Sequence, residues 1–232
     1  MSGWNKQVNW LFINRVAGEY RLVIPGWSML PTYFDSLFPN ENLIILNEFA
    51  NVSYIKSRYA QEIKNETMSI RYQTLEQLLL EPIADVFIFS MGFQWTSVNA
   101  PMLFEFPCIL AAPSLAYESH HIDQMIKNIQ KSKTKALTSF YRQGCSSEWG
   151  WWKSTHFQFH LESNCSMKLT EWLEIYGRKC IQIPNKDTTT IVLSKEDPIG
   201  IKPEINHRQK IKVKWYSGGH ILTPQQIAEV LH

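Results

Sequence analysis

The chain has 232 residues, and at roughly 150 residues per domain that favours one large domain with an insertion. With 44% hydrophobic and 19% charged residues it is composed neither like a disordered chain nor like a membrane-embedded one. The 23 Lys plus Arg against 21 Asp plus Glu exclude a nucleic-acid binder that works through overall charge, so any basic partner site must be local.

From the N-terminus, Trp, Asn, Gln and Arg break every apolar run of the first 16 residues before a signal-peptide core can form. Later in the chain no run reaches the ~18 apolar residues of a membrane helix, so a cytoplasmic, membrane-free protein is expected. Short apolar runs then read as strands: Val8 to Ile13, Arg21 to Ile24, Asn42 to Leu46, Asp85 to Phe89, Cys108 to Ala111, Thr189 to Leu193 and Ile211 to Tyr216. Several are continuously apolar, as strands covered on both faces are, which favours a buried parallel sheet. Helix signals lie between them. Thr74 and Gln77 have capping-box spacing, and Thr223-Pro224 with Gln226 opens a final helix the same way. This is an α/β fold.

From 115 to 179 the alternation stops. That stretch carries aromatic clusters and helical patterns but no buried strand, and it reads as an inserted helical lid between two core segments, 1–114 and 180–232. The four cysteines, at 108, 145, 165 and 180, form no CxxC pair and are expected as reduced thiols.

The run Asp85-Val-Phe-Ile-Phe-Ser90-Met-Gly92 is a strand ending in a serine, with a glycine two positions on. A sharp strand-to-helix turn would expose Ser90 at the carboxyl edge of the sheet and needs small flanking residues; Gly92 fits and Ile88 does not. Taken alone, the segment is better explained as a serine closing a core strand. Two further strands alter that weighing, because a serine nucleophile needs a base and an orienting acid. The Thr189 strand runs into Asp197, and the Ile211 strand runs into Gly-Gly-His220. In a parallel sheet all carboxyl ends share one edge, so Ser90, Asp197 and His220 would meet, in the order Ser, Asp, His of the α/β-hydrolases. Glu196 is the fallback acid, while Asp85 and Asp187 are poorer placed. After the Arg21 strand, Pro25-Gly26-Trp27 could aim the Trp27 amide at a developing oxyanion, with the Met91 amide as second donor.

These motifs resemble the α/β-hydrolases and, among them, the small carboxylesterases that release pimeloyl-acyl-carrier protein from its methyl ester in biotin synthesis. Pro25-Gly26-Trp27 is similar to a His-Gly-Trp oxyanion segment of that group, Phe89-Ser90-Met91-Gly92 to its Trp-Ser-Met-Gly turn, and Phe140-Tyr141-Arg142 to a lid motif. Asp197 and Gly219-His220 complete the pattern, which spans about Tyr20 to His232; Pro25 and Ile88 depart from it. The resemblance implies an α/β-hydrolase fold, a cofactor-free serine esterase with a Ser90-His220-Asp197 triad, and an ester carried on an acyl carrier protein. A thioesterase or general short-chain acyl hydrolase would use the same triad. A catalytically inactive binding protein is the reading from another class, motivated by Ile88 beside the nucleophile turn.

Between Asp123 and Glu148 stand Lys127, Lys131, Lys133, Lys135 and Arg142 with no acidic residue, so a helical lid could present positive charge to an acidic carrier. A solvated helix face accounts for the lysines equally well. A second basic run extends from Lys202 to Lys214, with Glu204 inside it. Trp149, Trp151, Trp152, Phe157 and Phe159, after Phe140 and Tyr141, read mostly as packing between lid and sheet. Substrate contacts are expected from Trp27, Phe89, Phe140 and Arg142, with Phe89, beside the nucleophile, the foremost candidate. His156 and His160 share a helical face near Cys165, but the segment lacks the Glu of a metalloprotease helix and no metal site is expected. His120, His121 and His207 read as surface residues without partners.

Overall fold

A computed structural model of the chain describes residues 7–200, 202–203 and 210–231. His207, Glu204 and Arg208 of the second basic run, and the first six residues of the N-terminal stretch lie outside them.

The first strands, β1 (Val8–Ile13), β2 (Tyr20–Ile24) and, after helix α1 (Pro31–Leu37), β3 (Leu43–Leu46), are almost wholly buried. Two short helices, α2 (Val52–Arg58) and α3 (Ala60–Lys64), lead into β4 (Met68–Gln73). Helix α4 (Leu75–Leu78) follows, its capping box closed between Thr74 and Gln77. The chain then runs through β5 (Ile83–Phe89), α5 (Gly92–Asn99) and β6 (Cys108–Ala111).

Next comes the helical stretch: α6 (Ser119–Cys145), α7 (Trp149–Trp152), α8 (Gln158–Ser163) and α9 (Ser166–Ile175). Helix α6 is broken at Ser132, whose φ of −165° and ψ of 99° are extended rather than helical. β7 (Thr189–Ser194), β8 (Lys212–Tyr216) and α10 (Pro224–Leu231) complete the chain. At α10 the expected box forms, with the Gln226 amide donating to Thr223 Oγ1 at 3.2 Å and the Thr223 amide to Gln226 Oε1 at 2.7 Å.

One eight-stranded sheet results, in the order β4-β1-β3-β2-β5-β6-β7-β8. β2, β3 and β5 to β8 are parallel, in registers such as Val23↔Phe87, Ile88↔Leu110 and Val192↔Lys214. β1 runs antiparallel to both β3 and β4, so the sheet is mostly parallel, as expected. The additional strand β4 has only Met68 buried and lies at the sheet's edge, so its residues carry no continuous apolar run. The sheet core is made of fully buried Leu22, Val23, Ile24, Ile44, Ile45, Val86, Phe87, Ile88, Leu110 and Ile191. Six parallel strands end on the same edge, which places the loops after β2, β5, β7 and β8 side by side.

Among the described residues no helix is long and apolar enough to cross a membrane. All four cysteines are free thiols.

Candidate active site

The turn after β5 is forced by sterics. Ser90 sits at φ 51°, in the left-handed region that residues with a Cβ avoid, between a strand and the first turn of α5. The loop after β2 presses against it. A Cβ on Gly26 would lie 2.8 Å from the Ser90 Cβ, and one on Gly92 would lie 2.5 Å from the Pro25 carbonyl oxygen. The approach of these two loops therefore requires glycine on both sides. Ile88 is accommodated, fully buried in the sheet core, which removes the steric motive for an inactive protein.

Ser90, Asp197 and His220 come together as the sequence order anticipates. Ser90 Oγ is 2.7 Å from His220 Nε2, and His220 Nδ1 is 2.7 Å from Asp197 Oδ2. A carboxylate only accepts, so Nδ1 carries the proton and Nε2 is free to accept from the serine hydroxyl. The second carboxylate oxygen, Oδ1, accepts from the Ile199 amide at 2.8 Å. The imidazole is 1% exposed, which shields the chain of bonds from water. Its loop is fixed by Tyr216, whose hydroxyl donates to the Gly219 carbonyl at 2.7 Å, and by Ser194, whose hydroxyl donates to the Gly218 carbonyl. Gly218 lies at φ 124°, so the Gly-Gly pair preceding the histidine is a backbone requirement.

Ser90 opens onto a cavity of about 590 Å³. Trp27 and Met91, the expected oxyanion donors, line it too, with apolar walls from Ile122, Met125, Phe140 and Ile199. Glu118, His121, Gln124 and Asn128 add polar groups from the start of α6. Such a mix, mostly apolar with a few polar groups, suits a small acyl chain.

Other expectations are corrected. Phe89 does not line the cavity; it is buried behind the imidazole, with ring centroids 5.3 Å from His220, 5.9 Å from Tyr33 and 6.0 Å from Phe34. Arg142 is exposed and lies outside the lining. Of the basic residues on α6, Lys127, Lys131 and Lys135 are exposed, but Lys133 donates to the Asn164 carbonyl at 2.8 Å and belongs to the internal packing. Of the aromatics from Phe140 to Phe159, Phe140 lines the cavity, while Trp152 is fully buried against Tyr33 and Tyr141.

His120 and His121 have a partner after all: Glu118 Oε2 lies 3.3 and 3.7 Å from their Nδ1 atoms. The sites passed over as triad acids are engaged elsewhere. Asp85 pairs bidentately with Arg21 at 2.7 and 2.8 Å, at the opposite end of β5 from the serine. The fallback Glu196 is exposed, with its amide donating to Ser194 Oγ.

Tyr117, in the loop after β6, escaped sequence reasoning. Its hydroxyl is 3.4 Å from Ser90 Oγ, and burial pushes the phenol up, so it stays protonated beside the nucleophile at neutral pH. A lone tyrosine in a loop carries no local signal for such a position.

His156 and His160 are both buried. The His156 Nε2 is 3.3 Å from Ser36 Oγ. Both His160 nitrogens are occupied, Nε2 by the Leu30 amide at 3.2 Å and Nδ1 by the His156 carbonyl at 3.0 Å, which leaves no lone pair for a metal. Burial lowers His156 to about 4 and, helped by the neighbouring His156, His160 to about 3. Their folded values lie below the unfolded value of ~6.5, so the unfolded state takes up protons first as pH falls. The stability they contribute is whole above pH ~6.5 and drains away as pH falls toward 4 and then 3. Urea midpoints are therefore expected to drop between pH 6.5 and 5, each imidazole contributing roughly 1 kcal/mol per pH unit, with a shallower slope in His160→Gln. A flat profile across that window would contradict the burial of these two rings.

No protein-family model matches this sequence, and no curated protein does. Solved structures match in fold. An esterase from Exiguobacterium antarcticum superposes at TM-score 0.58 and 12% identity, covering 92% of this chain and 89% of its own. A hydrolase from Oleispira antarctica reaches 0.63 at 9% identity, over 95% and 90% of the two chains. BioG from Haemophilus influenzae reaches 0.52 at 14%, over 97% and 96%. The chain has the α/β-hydrolase fold, with a helical insertion between β6 and β7.

Proposed function

We propose that the chain is a serine carboxylic ester hydrolase. The observation that carries the reading is the continuous chain of short hydrogen bonds from Asp197 through His220 to a serine in a left-handed turn at the wall of a cavity. In the first step His220 Nε2 takes the Ser90 proton as Oγ bonds to the ester carbonyl carbon, and the Trp27 and Met91 amides hold the oxyanion. Collapse of the tetrahedral adduct breaks the bond to the alcohol, which leaves with the proton from His220. Water then adds to the acyl-serine, giving its proton to the same nitrogen, and the carboxylate departs as Ser90 is re-protonated.

The substrate we infer is the methyl ester of pimeloyl-acyl-carrier protein, with methanol as the first product and biotin synthesis as the setting. The sequence resemblance at Pro25–Trp27, Phe89–Gly92 and Phe140–Arg142 supports it, as does the apolar cavity. Exposed Lys127, Lys131 and Lys135 with Arg142 provide a basic surface on the helix that walls the cavity, suited to steering an acidic carrier. Four free thiols suit a reducing, cytoplasmic setting.

The test compares pimeloyl-acyl-carrier-protein methyl ester, the matching thioester and p-nitrophenyl butyrate across a salt series. For the carrier-linked ester, kcat/KM is expected to fall about tenfold from 50 to 500 mM salt and by a similar factor in Lys127→Glu/Lys131→Glu/Lys135→Glu. The small ester should be indifferent to both changes. Equal turnover of carrier-linked and free esters would reduce the reading to a general esterase, and faster thioester cleavage would make the chain a thioesterase.

A further inference from the structure

The inserted helices reach into both loops that carry the proposed chemistry. On the oxyanion side, the buried Ser28 carbonyl accepts from the Tyr141 hydroxyl of α6 at 3.0 Å and from the Asn164 amide, just past α8, at 3.1 Å. Two residues on, the Leu30 amide donates to His160 Nε2 of α8 at 3.2 Å. The Trp27 indole donates to the Leu169 carbonyl of α9 at 2.8 Å. Asn164 also donates to the Tyr141 hydroxyl at 3.3 Å, so these groups form one network.

Three residues beyond Tyr141, the Gly144 carbonyl accepts from the amide of Ile221, the residue after His220, at 2.9 Å. A Cβ on Gly219 would strike that carbonyl. One turn of α6 thus touches the oxyanion loop with its first residue and the histidine loop with its last.

The oxyanion loop needs such support. Ser28 lies at φ 64°, a conformation that a residue with a Cβ holds only when its surroundings over-determine it. Its hydroxyl is buried and finds no partner among the described residues, so nothing there on the Ser28 side chain secures the turn. The orientation of the Trp27 amide is set one peptide earlier in the same tight turn, which the Met29 amide closes on the Gly26 carbonyl at 3.1 Å.

We propose that the C-terminal half of α6, with α8, is a strut that sets the oxyanion loop against the histidine loop, and that Tyr141, His160 and Asn164 are positioning residues for the Trp27 amide. The catalytic consequence rests on the esterase reading; the mechanical one does not. His160 must be neutral, with Nδ1–H donating to the His156 carbonyl, for Nε2 to accept from Leu30. The helical layer is therefore bonded to the site on its oxyanion side, rather than resting over it as a free flap.

The experiment pairs hydrogen–deuterium exchange of the peptide spanning 26–30 with kinetics on p-nitrophenyl butyrate. The variants are Tyr141→Phe, Asn164→Ala, their double, His160→Phe and His160→Gln. In the double variant, exchange at 27–30 is expected to speed up about tenfold while the Leu43–Leu46 strand is unchanged. The same variant should lose about 10- to 100-fold in kcat with KM within about twofold, the signature of a misplaced oxyanion donor. His160→Gln, which returns an acceptor near the Nε2 position, should regain most of what His160→Phe loses.

Exchange that stays at the wild-type level in the double variant, or rises equally in the sheet, overturns the strut. If wild type cleaves no ester and takes no fluorophosphonate on Ser90, the esterase reading fails, and local exchange still decides the strut. Should the double variant fail to fold, Tyr141→Phe alone, which removes one oxygen, gives the same readings.

Discussion

Ser90→Ala is expected to abolish measurable esterase activity, a loss of about 10⁴- to 10⁶-fold in kcat, while the thermal midpoint moves by no more than a few degrees. The size of the loss follows from the geometry. Ser90 Oγ is the group in the cavity hydrogen-bonded to the buried imidazole, and its deletion leaves His220 with only water to activate. The Trp27 and Met91 amides, proposed as oxyanion donors, survive, so a residue of catalysis above the uncatalysed rate should persist. Stability is spared because Ala adopts the φ of 51° neither better nor worse than Ser, and among the described residues the lost hydroxyl bonds His220 and, weakly, Tyr117. Kinetics with an activated ester and fluorophosphonate labelling of wild type and variant make the measurement. Retained turnover, or labelling of the variant at the wild-type rate, would move the nucleophile elsewhere.

Asp197→Asn is expected to cost about 10⁴-fold in kcat with the fold intact. The structure dictates which way the new amide faces. Oδ1 of residue 197 accepts from the Ile199 amide at 2.8 Å, and a backbone N–H can only donate, so the Asn carbonyl stays on that side. Its NH₂ group then faces His220 Nδ1, which must accept, and the imidazole proton shifts to Nε2. In that tautomer the ring cannot take the serine proton. Steady-state kinetics give the loss, and fluorophosphonate labelling should slow in parallel, since it needs the same base. A decline of less than about tenfold would assign the orienting role to another acid, with Glu196 next in sequence.

Most strands were legible because burial on both faces leaves a local mark. Leu43–Leu46 and Ile83–Phe89 enter the sheet as near-continuous apolar runs that no loop would carry. Met68–Gln73 leaves no such mark, since an edge strand only partly buries most of its side chains and its Ser, Arg and Gln interrupt any apolar run. Phe89 was misjudged for a geometric reason. Successive side chains of a strand point to opposite faces, so the neighbour of an outward serine is carried behind the site, against Tyr33, Phe34 and the back of His220. Lys133 departs from the other lysines because residues two apart on a helix do not share a face: next to Lys131 it turns toward the packing and donates to the Asn164 carbonyl.

The order of Ser90, Asp197 and His220, each just past a buried strand, was fixed in the sequence together with the glycines at 26, 92, 218 and 219. These are local necessities: apolar runs that must be covered, and turns too tight for a side chain. What brings Ser90 Oγ and Asp197 Oδ2 each to 2.7 Å from the His220 ring is the placement of β5 and β7 on either side of β6, with β8 beside β7. What ties the loop after β2 to α6, α8 and α9 is a set of hydrogen bonds between groups more than a hundred residues apart. A sequence records which side chains avoid water and where the backbone must bend. Which distant donor meets which acceptor depends on how the layers pack, and only the tertiary structure decides that.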